Sequence, residues 1–193
     1  SQQFQPGSNR DEPLRLIIHP EPGIVLPALY WPGGAAPPVL LAPATGMNSA
    51  VKEARQLHRR GHPVLIIEVR DTGETTTRNW RFFGADYYIA YMLGRSWLSL
   101  RTEDMLVCAR WLKSQQQAES LRLVTEGELT PAGLHAAALE PKLITKLTTR
   151  GGIPSWRSLM NTPDAHQHIH NAVHAGLRSY DLPDLKALIS TTP

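Results

Sequence analysis

The chain has 193 residues, 41% of them hydrophobic, enough for one domain with a real core. Its formal charge of +3 is modest and its basic residues are scattered, with His58-Arg59-Arg60 the one tight group, so no nucleic-acid partner is expected. No apolar run approaches the roughly 20 residues of a membrane span, so no membrane partner is expected, and the single Cys108 excludes an internal disulfide.

Residues 1–13 are polar, carry no signal-peptide pattern, and read as a flexible segment before a single domain over 14–193. Leu14 to Ile18 and Ile24 to Tyr30 read as strands around a Pro20-Glu21-Pro22-Gly23 turn, an antiparallel hairpin at a sheet edge. Pro38 to Ala42 is a short apolar run of the kind buried in parallel sheets. The loop Pro43 to Asn48 follows, and Ser49 is placed to cap a helix that runs to about Arg60 and ends at Gly61. Pro63 to Val69 is the strongest strand. Strand, helix and strand within this length imply a right-handed crossover and a parallel sheet.

Arg70 to Thr77 reads as a polar loop at the carboxyl edge of that sheet, where α/β proteins place ligands. The aromatic section Trp80 to Tyr91, with Phe82, Phe83, Tyr87 and Tyr88, is expected to pack as core; the wall of a pocket is the alternative. Arg101 to Lys113 is an amphipathic helix with Met105, Val107, Cys108, Trp111 and Leu112 on its apolar side, which makes Cys108 a core residue. Gln115 to Gln117 is expected to be exposed.

Leu121 to Val124 then reads as a strand, Thr125 to Glu128 as a tight turn, and Leu129 to Leu139 as a helix rich in small residues. That sequence of shapes is a nucleophile elbow. Laid over the elbow pattern G-x-S-x-G, Thr125 takes the first glycine, Gly127 the serine and Leu129 the last glycine. Glycine has no side chain and cannot attack an ester. Beyond it, Pro141 to Thr149 is expected as a strand, Gly151 to Asn161 as loop and turn, Ala165 to Leu177 as a helix, and Tyr180 to Leu185 as the start of a last short helix.

Four segments carry a resemblance. Glu68 to Gly73 is similar to a D-x-R-G-x-G loop, with Glu68 and Asp71 replacing two of its fixed positions. Tyr91 to Ser96, followed by Arg101-Thr102-Glu103-Asp104, is similar to the segment leading into the helix before an elbow strand. Gly127 to Leu139 matches the elbow and its helix, and Tyr180 to Leu185 the stretch before the next strand. In order and spacing they resemble the α/β-hydrolase fold. More narrowly, they resemble acetyl xylan esterase-type carbohydrate esterases, including the degenerate second hydrolase domain of some long bacterial members. The resemblance implies an α/β fold: a mostly parallel sheet with helices on both faces, truncated before the last two strands. The family takes its catalytic acid and histidine from loops after those strands, so no complete Ser-His-Asp set carries over. A secreted or periplasmic location is implied in the same way.

Several side chains are candidates for chemistry. Glu126 and Glu128 flank the elbow position, where a helix dipole stabilises carboxylates and general acid/base work is conceivable. Asp71 and Glu74 stand in the polar loop at the sheet edge. Thr45, Gly46 and Met47 occupy the loop that, by the resemblance, donates an oxyanion-hole N–H. His166, His170 and His174 would share one helix face at i, i+4 and i+8, a spacing at which neutral imidazoles bind zinc. No carboxylate at a familiar spacing completes that set, so a plain histidine face is the expectation, with no metal and no cofactor. Ser155, after Gly151-Gly152, has no evident base, and His135 inside the elbow helix reads as a packing residue.

The leading expectation is a degenerate carbohydrate-esterase-like domain without the nucleophilic serine, acting as structural or glycan-binding partner of a catalytic domain. An open sheet edge calls for a covering surface, from another hydrolase domain or subunit, and a polysaccharide is the expected ligand class. One alternative is an active ester hydrolase completed by another segment or subunit. Another is a metal-binding module using the histidine face.

Overall fold

The short apolar runs assemble into one sheet in a computed structural model that describes residues 2–3, 12–76, 85–163 and 165–191. Its strands are β1 (Gln2–Gln3), β2 (Leu14–Ile18), β3 (Leu26–Trp31), β4 (Val39–Ala42), β5 (Val64–Ile67), β6 (Leu121–Glu126) and β7 (Ile144–Arg150), in the order β1-β2-β3-β5-β4-β6-β7. β5, β4, β6 and β7 are parallel neighbours. β1, β2 and β3 pair antiparallel, and β3 lies antiparallel to β5. The hairpin of β2 and β3 is where the Pro-Gly turn predicts it, and Gln2–Gln3 add a strand beyond it.

Every residue of β4 and β5 is buried, which is why both read as continuous apolar runs rather than alternating ones. Alternate side chains serve two cores. Leu40, Leu65 and Leu123 face the side covered by α3 (Trp97–Gln116), α4 (Thr130–Leu139) and α6 (Leu182–Thr191). Val39, Leu41, Val64, Ile66 and Val124 face the side covered by α1 (Val51–Arg59). Helices thus lie on both faces of a mostly parallel sheet. α2 (Ala85–Met92) and the one-turn α5 (Trp156–Leu159) complete the helices among the described residues. Cys108 is fully buried on α3, and burial pushes its thiol pKa well up, as suits a packing residue.

The chain steps outward from β4 to β5 and then returns to β6 on the other side of β4. The carboxyl ends of β4 and β6 therefore flank a topological switch point, the place where open α/β sheets take ligands.

Four local expectations are corrected. Ser49 does not cap α1: a 3-10 turn over Met47–Ala50 precedes the helix, Ala50 is the cap, and the Ser49 hydroxyl donates back to the Gly46 carbonyl at 2.7 Å. The aromatic section does not pack wholesale as core: of α2 only Ala90 is buried, and Tyr88 and Met92 are 51% and 85% exposed, because this short helix touches the body along one line. Trp80, Phe82 and Phe83 lie outside the described residues. No helix spans 165–177: a 3-10 turn covers Ala165–Asn171 and another Gly176–Arg178, with Ala175 between them at φ 58°. The Trp156 indole N–H takes the Asn171 carbonyl at 2.8 Å, drawing it away from a helical ladder. Finally, the stretch after Gly151 is not all loop, since α5 forms there and buries Trp156.

Candidate functional site at the carboxyl edge of β4 and β6

The turn after β6 has the geometry of an elbow. Gly127 adopts φ 53°, a left-handed backbone that side chains rarely take, between β6 and a 3-10 turn that runs into α4. Pro131 suits the first turn of α4 because the N–H it lacks would have no helical partner there. Gly133 lets α4 approach its strand: a Cβ there would stand 2.5 Å from the Thr125 methyl. A Cβ on Gly127 would meet the Ala44 methyl at 3.3 Å, a tight contact to which Ala44 would have to yield by a few tenths of an ångström, on a backbone already strained for any side chain.

The two flanking carboxylates diverge. Glu126 pairs with Arg150 at 3.0 Å on the α1 side. Arg150 also grips Glu53 of α1 through two contacts of 2.6 Å, and that hydrogen bonding lowers the Glu53 pKa. Glu128 turns the other way, to Arg101 at 3.2 Å. They are engaged with separate guanidinium groups rather than aimed at a shared point.

Arg101 is fully buried and organises the other side of the edge. Its Nε donates to the Arg70 carbonyl at 3.3 Å, its Nη2 to the Asp71 carbonyl at 3.4 Å, and Nη2 also lies 3.7 Å from the Asp71 carboxylate. In the opposite sense, Arg70 donates to the fully buried Asp104 through Nε at 2.9 Å and Nη2 at 2.6 Å, and Asp104 also accepts the Arg70 backbone N–H at 3.1 Å. Burial works against the Arg70 charge, but Asp104 and Glu21 outweigh it and its pKa is raised. The loop after β5 and the first turns of α3 are thus cross-linked by two reciprocal pairs, Arg70 with Asp104 and Asp71 with Arg101.

Glu68 is a second buried tie. Its carboxylate accepts the Met47 N–H at 2.8 Å and the Glu74 N–H at 2.7 Å, binding the loop after β4 to the loop after β5. A Cβ on Gly73 would fall 2.0 Å from this carboxylate, so the neighbour must be glycine. Two expectations change with it. The Met47 N–H, a candidate oxyanion donor, is committed to Glu68. Glu74 contributes its backbone here, and its side chain is exposed, as is Thr45.

The histidines regroup. His170 sits near the end of a 3-10 turn and its Nε2 meets Asp86 Oδ1 at 2.8 Å, with the Trp97 ring 5.6 Å from its own. His174 is exposed beyond that turn. A common face for His166, His170 and His174 is therefore corrected, because a 3-10 turn that ends at Asn171 does not carry the i, i+4, i+8 row. His135 is a half-buried residue with both ring nitrogens bonded, Nδ1 at 2.7 Å from the Pro131 carbonyl and Nε2 at 2.7 Å from the Tyr180 hydroxyl. Burial lowers its pKa. Ser155 caps α5 by accepting the Ser158 N–H at 2.9 Å, a structural task.

Three comparisons bear on this geometry. No family model matches the chain, and no curated protein matches it by sequence. Among solved structures, a candidate acetyl xylan esterase from Bacteroides fragilis superposes with a TM-score of 0.69 at 14% identity, covering 100% of this chain and 60% of its own. The chain has the α/β-hydrolase fold. An epoxide hydrolase from an endophytic Streptomyces matches with a TM-score of 0.52 at 16% identity, over 72% of this chain and 37% of that one. An alpha/beta hydrolase fold protein of unknown function matches with a TM-score of 0.52 at 11% identity, over 75% and 45%. The chain thus spans less than two thirds of the length of each of these structures, and the different chemistries named for the first two show that the fold alone does not set a reaction.

Sequence reasoning missed Asp86, and it passed over Arg101 and Asp104 as members of a helix. The available signal was the helical spacing, which puts Arg101 and Asp104 on the same stripe as Met105, Cys108 and Leu112, where buried charges need partners.

Proposed function

We propose that this chain is a degenerate, esterase-like α/β-hydrolase domain of acetyl xylan esterase type, one that keeps the elbow and has lost its nucleophile. The observation that carries this is Gly127: a left-handed residue at the tip of the strand–turn–helix, where an elbow holds its nucleophile, and without a side chain. Two features support it. Glu126 and Glu128 are held by Arg150 and Arg101, so neither is poised to replace a serine, and the Met47 N–H is spent on Glu68 rather than kept for an oxyanion. The role is structural or glycan-binding, in association with a catalytic hydrolase domain or subunit that covers the sheet along β7, the last strand in the sheet order.

The test is hydrolysis of p-nitrophenyl acetate and acetylated xylan by the purified chain beside a Gly127→Ser variant. The parent is expected to be silent. Turnover in the parent that disappears on mutating Glu126, Glu128 or Ser155 would overturn the reading in favour of an active esterase with an unconventional nucleophile. Sedimentation tests the partner: a soluble, stable monomer with no affinity for a hydrolase domain would count against the covered edge.

A further inference from the structure

Away from the elbow, three side chains from distant parts of the chain converge at the carboxyl edge. Asp71 follows β5, Asp86 lies in the first turn of α2, and His170 lies on the 3-10 turn after α5. One donor atom from each stands within 4.8 Å of the other two. We propose that Asp71, Asp86 and His170 form a binding site for a single divalent transition-metal ion of the zinc class. The inference goes beyond the reading of the elbow and does not rest on it.

Donors that share one tetrahedral zinc at about 2.0–2.2 Å stand roughly 3.3–3.6 Å apart. The three donors already lie within 4.8 Å of one another, so side-chain rotations that move each by about an ångström or less close them on an ion. The chemistry of the set selects the ion. Two carboxylates neutralise a divalent charge, and the imidazole nitrogen favours zinc-like ions over calcium or magnesium, which prefer oxygen alone. His170 would bind the ion through Nε2 as a neutral imidazole with its proton on Nδ1, exchanging the contact with Asp86 for a shared metal.

The surroundings fit as well. Two carboxylates this close repel each other; Arg101, 3.7 Å from the Asp71 carboxylate, offsets part of that cost, and a cation between the two offsets more of it. The side chains are 19%, 17% and 12% exposed for Asp71, Asp86 and His170, shielded but reachable. Outer contacts orient them, as metal ligands require: Arg101 holds the Asp71 backbone and stands 3.7 Å from its carboxylate, and the Trp97 ring lies against His170. A cavity of about 440 Å³, lined by Asp86, Arg70, Arg95 and Trp97 among others, adjoins the cluster and gives an open coordination position somewhere to face.

The experiment is calorimetric titration of the metal-free, untagged chain with zinc chloride, with elemental analysis after dialysis. One equivalent is expected to bind and to raise the melting temperature. Asp86→Asn and His170→Gln, both close in shape to the native residues, should each weaken binding at least about tenfold and abolish the thermal shift. His174→Ala, an exposed histidine outside the cluster, should change neither. Calcium chloride should give no saturable heat. No stoichiometric zinc, or zinc uptake untouched by both ligand variants, or uptake lost in His174→Ala, would overturn the proposal. If either ligand variant fails to fold, Asp71→Asn puts the same question to the third ligand.

Discussion

The sheet and the segment that follows it are built by different means. In β4 and β5 every side chain is buried, and the strands are held by a continuous ladder with apolar faces on both sides. The described residues of 151–181 have no comparable run. They form 3-10 turns and a single turn of α-helix, and individual long-range bonds hold them. Asp181 accepts the Trp156 N–H at 2.7 Å, the Trp156 indole donates to Asn171 at 2.8 Å, and Tyr180 reaches His135 at 2.7 Å. His135, Trp156 and Tyr180 also pack ring on ring, with centroids 5.3–5.8 Å apart. A region made of many equivalent contacts tolerates the loss of one bond. A region made of a few specific ones does not, and it opens as a unit.

The sharpest break of this contrast lies in the sheet. Leu123→Ala removes a fully buried side chain from the middle of β6 and is expected to cost about 2–5 kcal/mol in global stability, read by urea denaturation. Trp156→Ala should cost the outer segment about 3 kcal/mol by size, and hydrogen exchange should show the loss across 151–181 while β4 to β6 keep their protection. Equal loss in both regions would show that they unfold as one and dissolve the comparison.

Glu68→Ala tests the tie within the sheet's own loops. It strands the Met47 and Glu74 N–H groups and should cost about 1–3 kcal/mol, again by denaturation. Tyr180→Phe deletes one hydroxyl bond to His135 and should cost about 1 kcal/mol, with faster exchange confined to the outer segment. The smallest effect is a pH dependence. Burial holds the His135 pKa below its ordinary value of 6.5, so the unfolded chain takes up that proton first. The stabilisation from a neutral, half-buried His135 is complete above pH 6.5 and is lost as pH falls through the lowered folded value. A denaturation series over that range should show the slope, and His135→Gln should flatten it.

The candidate site at the sheet edge was legible only in part. The elbow could be read from residues 121–139 because strand, glycine turn and small-residue helix are contiguous, and each is encoded by its own local pattern. The partners of its flanking carboxylates could not, since Arg101 and Arg150 are distant in sequence and only the crossing of helix and strand brings them close. The histidine row failed for a related reason. A helical spacing was assumed for 165–177, and the Trp156–Asn171 bond, a tertiary contact, replaces it with a 3-10 turn.

What the sequence alone determined is therefore the order and type of the main strands, the α/β architecture and the absence of a side chain at Gly127, because apolar runs and glycine turns act over a few residues. What only the tertiary structure decided is which charges meet: Arg70 with Asp104, Arg101 with Asp71 and Glu128, and His170 with Asp86. Buried charges must find partners, but nothing local to a charge names the partner. That choice is made when the helices close over the sheet edge and desolvate whichever groups face one another.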